Sequence, residues 1–392
     1  MNQLAGVRVL DLGIITAGAA TSALLADLGA EVIKIESPSY RDPFRDWPLG
    51  EPVDPAGHDT PPFYRATNRN KASLSLDLKT VAGHDAFIRL VTRSDVVVEN
   101  FRRGVLGKLG LSYDVIRRAN PNIILASISS QGETGPDSQF VSFGSTLEAM
   151  GGLAWRTGYA GGAPVISGND LNFPDQVAAI FAAGMICAAL RSVRNGGGGA
   201  HLDLSQRELT SFLSGDAFAG LPTGQVGERC GNDDAFHVLQ DCFAARDRTW
   251  VALSVRQFDV GVLALCIGVD ATVLEDPGRM REAVRGWMRS HAQDVAVERL
   301  LAAGLAAAPV LDGPQVLQRA GQGWEFAMAR LADGALVKGF PFQLDRDPLA
   351  VAGGAAHCGA DSVDVLREVG GYSLEEVRAM IRQGVTESQE IL

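Results

Sequence analysis

Short apolar runs alternate with amphipathic segments over the first 130 residues of the chain. The apolar runs predict buried strands at residues 7–12, 31–36, 73–78, 95–99 and 123–129. The amphipathic segments between them predict helices at 19–28, 80–92 and 113–119. Because strands that alternate with helices usually form a mostly parallel sheet covered by helices, we expect an α/β domain of this kind. Residues 37–67, rich in Pro, Asp and Gly, are expected to form a long loop.

The pattern changes near residue 219. Residues 220–224 are typical of a linker, and an antiparallel strand pattern at 236–255 is followed by helices at 261–303. A second change occurs at 337–341, and the final helix, 373–383, begins with a Ser-x-x-Glu capping box. The sequence therefore predicts an α/β fold with a large Rossmann-like domain at 1–218, a smaller α+β domain at 219–330, and a C-terminal return to the large domain at 331–392.

A turn of small residues, 13–18, lies between the first predicted strand and the first predicted helix. Small residues allow a ligand to approach the backbone at the carboxyl end of the strand, where open α/β sheets bind their ligands. The glycine spacing of a dinucleotide-binding turn is absent, so this turn gives only weak support for such a cofactor.

Composition and charge narrow the classes of partner. The chain has 392 residues, of which 46% are hydrophobic, and a net charge of −11, which argues against nucleic acid as its partner. The five cysteines have no CxxC spacing and indicate free thiols in a reducing compartment. The six histidines lack metal-site spacing, so no metal is expected. We also expect no signal peptide and no apolar run long enough to span a membrane, and therefore a cytoplasmic protein.

Asp175 is the most informative single residue. It immediately precedes an apolar run at residues 177–190, so its carboxylate should lie at the start of a helix. Free backbone N–H groups and the helix dipole stabilise a negative charge at that position. On position alone, an ordinary helix cap is the favoured explanation of Asp175, and only the other segments of the chain favour a catalytic role.

Two polar segments are candidate anion-binding sites. Residues 68–71 (Asn-Arg-Asn-Lys) precede a predicted strand and could bind a phosphate, or they could form a solvated turn. Residues 98–106 follow a buried strand, where Phe101 could stack on a base with Arg102, Arg103 and Lys108 nearby as anion partners. A basic loop with one core aromatic residue explains the second segment equally well.

Taken in order along the chain, these segments resemble the class III CoA-transferases, the family of formyl-CoA and carnitine CoA-transferases. The resemblance covers nearly the whole chain. The segments that carry it are residues 4–12, 27–36, 70–71, 95–101, 120–121, Asp175 with residues 188–190, and 201–205 with Glu208.

The resemblance implies that Asp175 is a nucleophile. It would attack an acyl-CoA thioester, form a mixed anhydride and then an aspartyl-CoA thioester, and pass CoA to an acceptor carboxylate. The residues implied to bind coenzyme A are Thr16, Ala17, Arg45, Asn70, Lys71, Asn100, Phe101 and Lys108. Coenzyme A and acyl-CoA would be substrates, with no permanently bound cofactor. The family also implies a ring-shaped subunit in an interlocked homodimer.

Three other functions remain open at this point. The α-methylacyl-CoA racemases of the same superfamily use a His in a Gly-His-Asp-Ile-Asn-Tyr segment, but residues 142–146 here read Ser-Phe-Gly-Ser-Thr. Exchange of a proton at the α-carbon would then lack one of its two bases. A non-catalytic CoA-binding subunit of a hetero-oligomer and a hydrolase that loses the anhydride to water are the other two possibilities.

Overall fold

The computed structural model describes residues 3–46, 61–167, 172–224, 227–320, 328–331, 334, 336–339, 351 and 353–388. The chain divides into two compact units. The first unit contains residues 1–154, 166–219 and 324–392, and the second contains residues 155–165 and 220–323. The boundaries expected from the sequence placed residues 155–165 in the large domain, whereas the structure assigns them to the second unit.

Most elements before residue 220 alternate between strand and helix. The strands are β1 (Arg8–Asp11), β2 (Glu31–Glu36), β3 (Lys71–Ser75), β4 (Val96–Glu99), β5 (Ile124–Ser129) and β6 (His201–Ser205). The helices are α1 (Ala17–Asp27), α2 (Pro62–Asn68), α3 (Val81–Val91), α4 (Val105–Lys108), α5 (Tyr113–Ala119), α6 (Gly144–Met150), α7 (Leu153–Arg156), α8 (Phe173–Arg194), α9 (Gln206–Leu213) and α10 (Gly215–Ala219).

The six strands form one parallel sheet in the order β3-β2-β1-β4-β5-β6. Consecutive residues of a strand point to opposite faces, and the core divides accordingly. Val9 packs on the face covered by α1 and α8, whereas Leu10 packs on the face covered by α3 and α5. The strand order reverses between β1 and β4, which is the switch point where such sheets bind ligands. The predicted parallel α/β sheet is confirmed.

The C-terminal segment completes the edge of this sheet. Its elements are the hairpin strands β10 (Met328–Arg330) and β11 (Leu336–Lys338), the short helix α15 (Ser362–Asp364), a π-helical turn (Val365–Val369) and α16 (Leu374–Arg382). Ser73 of the edge strand β3 donates its N–H to Asp361, and Thr386 donates its hydroxyl to the carbonyl of Ser75. The capping box predicted for the last helix is present, with Ser373 and Glu376 as its two residues.

The second unit is a three-stranded antiparallel sheet with helices. Its elements are β7 (Leu239–Ala244), β8 (Trp250–Val255), α11 (Val260–Ile267), α12 (Pro277–Arg289), α13 (Gln293–Ala302), β9 (Ala306–Val310) and α14 (Gly313–Ala320). Its own core contains Phe243, Val251, Val284 and Leu300. This α+β arrangement agrees with the strand and helix patterns read from the sequence.

Two details differ from the sequence-based expectations. The expected loop at 37–67 contains a 3₁₀ turn, Pro43–Arg45, and the helix α2 near its end; residues 47–60 lie outside the described part of the chain. Pro62 is the first residue of α2, and proline favours this position in a helix. In the sequence alone, the same proline suggested a loop. Strand β3 begins two residues earlier than predicted, at Lys71.

Helix α8 has 22 residues and is long and apolar enough to cross a membrane, by its length and composition. The expectation that no apolar run reaches this length is therefore wrong. About a third of its most apolar stretch is buried, and the helix packs against α1 and β5. Because a long core helix meets the same criterion, this feature alone does not indicate a membrane span.

Candidate active site

A cavity of about 970 Å³ opens in the first unit at the point where the strand order reverses. Its walls come from the ends of β1 and β4, from residues 141–144, and from the start of α8. Most of its lining is apolar, with a few polar side chains near the start of α8. Concave, mostly apolar cavities with a few placed polar groups are typical of small-molecule sites.

The turn after β1 is held in a strained conformation at the wall of this cavity. Ile15 has φ +59°, a left-handed value that is rare for a β-branched residue. Its N–H donates to the carboxylate of Asp42 at 3.1 Å, and the N–H of Ile14 donates to Asn100 Oδ1 at 2.7 Å. Asn100 Nδ2 donates back to the carbonyl of Ile14 at 3.0 Å. A side chain at Gly18 would collide with Asn100, so glycine is required there.

Beneath this turn lies a group of buried ion pairs. Lys34 donates to Asp42 at 3.0 Å and to the carbonyl of Gly13, while Arg45 donates to Glu36 at 2.7 Å. Despite its burial, Glu36 has a pKa lowered to about 2, because Arg45 and Lys34 favour its ionised form. These pairs fix the backbone of the turn rather than present charges to a ligand.

Lys71 forms a second buried pair. Its ammonium donates to Asp11 Oδ2 at 2.8 Å, to the carbonyl of Ala19 at 2.8 Å and to Asn68 at 2.9 Å. Burial lowers the pKa of Lys71 to about 8, although Asp11 acts in the opposite direction. The side chain of Lys71 thus joins β3 to β1, α1 and α2.

Asp175 is the third residue of α8 and lines the cavity. The cap position belongs to Asn172, whose side chain makes no cap hydrogen bond, so Asp175 is not the N-cap residue. Burial raises the pKa of Asp175 to about 6, and a hydrogen bond from its own backbone N–H opposes that shift. The carboxylate is therefore crowded by protein yet still mostly ionised at neutral pH.

Gly144, the first residue of α6, lies against this carboxylate. A Cβ atom placed on Gly144 would come within 3.3 Å of Asp175 Oδ2 and of Asn172 Oδ1. The segment 142–146, where the racemases carry their His, is therefore a direct neighbour of Asp175. No histidine lines the described part of the cavity.

The residues that the sequence predicted to bind coenzyme A lie in different environments. Thr16, Asn100 and Phe101 line the same cavity as Asp175. Ala17 is fully buried at the start of α1. Lys108 is exposed at the end of α4 and does not line the cavity.

The other three are engaged inside the protein. The side chains of Arg45 and Lys71 are both about 1% exposed and occupied by the ion pairs described above. Asn70 has φ +61° and bridges Asp27 to the backbone N–H of Gly353. We therefore revise the expected roles of Arg45 and Lys71 from direct phosphate contacts to support of the cavity wall.

Several residues of the cavity were not predicted. Gln206, at the start of α9, and Lys338, in β11, both line it, and Lys338 Nζ donates to Gln176 Oε1 at 2.9 Å. Lys338 is separated from Gln176 by 162 residues, and no local pattern around either residue indicates the contact. Among the described residues, no group of three His, Cys, Asp or Glu side chains is placed to hold a metal ion.

The sequence model of CoA-transferase family III matches residues 4–362. A probable CoA-transferase of Mycobacterium tuberculosis is 31% identical over 97% of this chain and 50% of its own length. The alpha subunit of a succinyl-CoA–L-malate CoA-transferase from Chloroflexus aurantiacus is 34% identical over 64% of this chain and 58% of its own length. The chain thus spans only half to three fifths of the length of these two relatives.

The fold also matches a solved structure. A CaiB/BaiF family protein from Brucella suis superposes with a TM-score of 0.84 at 26% sequence identity. The match covers 93% of this chain and 99% of that protein.

Proposed function

Because the chain belongs to CoA-transferase family III, we propose that it moves coenzyme A from an acyl-CoA thioester to a carboxylic acid, with Asp175 as the nucleophile. The observation that most supports this proposal is the position of Asp175, a crowded carboxylate with a raised pKa, at the wall of a large cavity at the sheet's switch point. Perturbed ionisable groups in such cavities are typical of catalytic sites.

The proposed reaction proceeds by acyl transfers that need no other reagent. An oxygen of Asp175 attacks the thioester carbonyl, and the CoA thiolate leaves, which gives a mixed anhydride. The thiolate then attacks the Asp175 carbonyl and releases the donor acid, so that CoA is held as an aspartyl thioester. The acceptor carboxylate attacks this thioester and expels the CoA thiolate, which gives a second mixed anhydride. The thiolate finally attacks the acceptor carbonyl of this anhydride, forms the new acyl-CoA and releases the Asp175 carboxylate. One difficult exchange is thereby divided into easier steps.

The surroundings of Asp175 suit this chemistry. Asp175 lies in the first turn of the 22-residue helix α8, where the helix dipole favours negative charge such as that of a developing oxyanion. The strained turn at Ile14 and Ile15 lines the same cavity. The mostly apolar lining would limit the water that reaches an anhydride at Asp175.

Coenzyme A would bind along the carboxyl edge of the sheet. Phe101 and Asn100 line the cavity directly after β4, and Lys79 and Arg102 add two cations to its wall. We propose that these residues contact the nucleotide end of the substrate, that Thr16 lies near its thioester, and that the exposed Lys108, outside the wall, binds a phosphate.

The test is an exchange assay with a panel of acyl-CoA donors and carboxylic acids, read by mass spectrometry. Formation of a new acyl-CoA that depends on the added acid supports the proposal. Release of free CoA that is independent of any acid would instead identify a hydrolase. No reaction with any pair would favour a non-catalytic subunit of a hetero-oligomer; the Chloroflexus relative is itself named as an alpha subunit.

A heavy-water experiment separates transfer from racemisation. Chiral 2-methylacyl-CoA incubated with the protein should gain no deuterium at the α-carbon above background. The reason is that Gly144 lies beside Asp175, and the segment Phe143–Gly144–Ser145 carries no histidine to serve as the second base. Rapid incorporation with loss of optical activity would overturn the transferase proposal.

The acid limb of the pH profile should report the ionisation of Asp175. Its pKa is raised to about 6, and only the ionised form is a nucleophile. We therefore expect kcat/KM for the donor to be flat near pH 7.5 and to fall about tenfold per pH unit below about 6.

Glu99 provides the control for this profile. Burial raises its pKa to about 7, but its carboxylate accepts the N–H of Phe101 and does not line the cavity. Glu99→Gln should leave the acid limb in place. A limb that disappears in Glu99→Gln would assign the ionisation to Glu99 instead.

We also propose a cytoplasmic homodimer. Ile180, Phe181 and Met185 on α8, with Phe212 and Leu213 on α9, form an exposed apolar patch, and the rings of Phe181 and Phe212 meet edge to face at 5.8 Å. Exposed apolar patches of this kind mark interfaces with other protein chains.

If the two subunits are interlocked, as the family resemblance implies, the folded monomer should not exist. The melting temperature should then rise with protomer concentration, and light scattering should give twice the mass of the 41.4 kDa chain. A folded monomer at low concentration would contradict the interlocked arrangement.

A further inference from the structure

Gln206 is a buried amide at the wall of the cavity that also contains Asp175. It is the first residue of α9 and directly follows β6, so it lies at the carboxyl edge of the sheet. The residue is only 6% exposed. The next residue, Arg207, donates its backbone N–H to the carbonyl of Ser130 at 3.1 Å, which fixes the start of α9 against the end of β5.

The side-chain amide of Gln206 has no hydrogen-bond partner among the residues that the structure describes. Gln293 shows the usual arrangement for comparison. It is likewise the first residue of its helix, α13, and is 7% exposed, but its amide donates to the carbonyls of Trp250 at 2.7 Å and Val310 at 3.2 Å. Because a buried amide without a partner is unfavourable, an unpaired amide at a cavity wall indicates that a ligand supplies the partner.

No described cation stabilises negative charge at Asp175. Within the described ranges of the chain, no Lys or Arg side chain pairs with its carboxylate, and burial rather than a neighbouring charge raises its pKa. Every acyl-transfer step proposed above passes through a tetrahedral intermediate whose carbonyl oxygen carries a negative charge. In a mostly apolar cavity, a fixed neutral donor such as an amide N–H stabilises such an oxyanion strongly.

Helix α6 connects the surroundings of Gln206 with those of Asp175. Gly144, the first residue of α6, lies beside the Asp175 carboxylate. Gly151, directly after the end of α6, lies against Thr210, one turn after Gln206, since a Cβ atom on Gly151 would come within 2.6 Å of the Thr210 side chain. Helices α8 and α9 also pack against each other. The same group of helices therefore carries both the carboxylate and the unpaired amide.

We propose that Gln206 is a further catalytic residue, which donates a side-chain N–H to the carbonyl oxygen of the acyl group under attack at Asp175 and stabilises its oxyanion. The proposal rests on the CoA-transferase function proposed above. Gln206 is assigned to the first and last steps, in which the attacked carbon belongs to the substrate acyl group. The amide forms no covalent bond and gives up no proton. When each intermediate collapses, the negative charge leaves on the CoA thiolate or on the Asp175 carboxylate.

The test uses two substitutions of Gln206 and one matched control. Gln206→Met is nearly isosteric but has no N–H, and Gln206→Glu has a carboxylate that cannot donate at pH 7.5. The control is Gln293→Met, the same substitution at the first residue of another helix. Each variant is measured in the exchange assay with the best donor and acid found for the wild type, and its melting temperature is recorded.

Gln206→Met should lose about 10²- to 10³-fold of kcat, the loss expected when one oxyanion donor is removed. Its KM for the donor should change by less than about threefold, because the amide acts on the transition state rather than on the bound substrate. Gln206→Glu should lose at least as much kcat. The acid limb of Gln206→Met should stay at a pKa of about 6, since the amide does not bind the Asp175 carboxylate.

The melting temperatures separate this role from a structural one. Gln206→Met should melt no lower than the wild type, because no hydrogen bond within the described protein is lost. Gln293→Met should melt at a lower temperature, because it loses two hydrogen bonds, and should keep the kcat of the wild type.

A kcat of Gln206→Met within about threefold of the wild type would overturn the assignment of Gln206 and leave the transferase function intact. A higher KM with unchanged kcat would place the amide on bound CoA, and a displaced acid limb would place it on the Asp175 carboxylate; either result overturns the oxyanion role. If the wild type only hydrolyses acyl-CoA, the same loss of kcat for hydrolysis would still support Gln206. A wild type that cleaves no acyl-CoA with any acid would contradict the transferase function, and the assignment of Gln206 with it.

Discussion

Asp175→Asn should abolish CoA transfer and leave the fold unchanged. The amide is nearly isosteric but is not a nucleophile, so kcat should fall by about 10⁴- to 10⁶-fold, as it does when a covalent catalyst loses its nucleophile. After incubation with acyl-CoA, the wild-type protein should carry a CoA adduct on the peptide containing Asp175, and the variant should carry none. Mass spectrometry measures both quantities.

The second part of this prediction concerns the stability of Asp175→Asn relative to the wild type. Folding raises the pKa of Asp175 to about 6, so its ionised form disfavours the folded state. The contribution of Asp175 to stability is therefore most favourable at low pH and is lost as pH rises through about 6. At pH 7.5 the neutral Asn should be at least as stable, within about 1 kcal/mol.

The matched control is Asp114→Asn. Asp114 also lies in the first turn of a helix, α5, but it is exposed and outside the cavity. Its substitution should leave turnover unchanged. Near-normal turnover in Asp175→Asn would make Asp175 a structural residue and would remove the basis of the proposed mechanism.

Lys71→Met should destabilise the protein strongly. The substitution leaves the buried carboxylate of Asp11 without its ammonium partner, and removal of one member of a buried pair costs about 3–5 kcal/mol. Asn68 and the carbonyl of Ala19 would also lose their donor. Denaturant titration at pH 7 measures the free energy of unfolding.

The double variant Asp11→Leu/Lys71→Met distinguishes an ion pair from general packing. Because it removes both charges, it should recover most of the loss, with a coupling energy of about 1–3 kcal/mol. If Lys71 instead contacts a phosphate of CoA directly, the Lys71→Met variant should be as stable as the wild type and should have a higher KM for the donor. That result would restore the role first expected from the sequence.

The features that could be predicted from the sequence are those that depend on residues close together in the chain. Strands such as β4 and β5 are short apolar runs between turn residues, and the start of α8 follows from the long apolar run after Asp175. The family resemblance covers the same segments, and the match to residues 4–362 confirms it. The parallel sheet and the position of Asp175 at the start of a helix were therefore both predictable.

The environments of the charged residues were not predictable, because they depend on pairs far apart in the chain. Lys71 meets Asp11 across 60 residues, and Lys338 meets Gln176 across 162. Neither contact leaves a periodic or local signal. A basic residue next to a strand looks the same in the sequence whether it faces a ligand or a buried carboxylate, and only the fold distinguishes the two.

The closure of the β3 edge by the C-terminal segment has a consequence for the synthesis of the protein. Ser73 and its partner Asp361 are separated by 288 residues. At roughly 5–20 residues per second, the ribosome adds that length in about 15–60 s. During this interval β3 can leave the ribosome with unpaired backbone groups, which are able to pair with other nascent chains. Aggregation during expression should therefore respond to slower growth or to added chaperones, even though the finished protein has this edge covered.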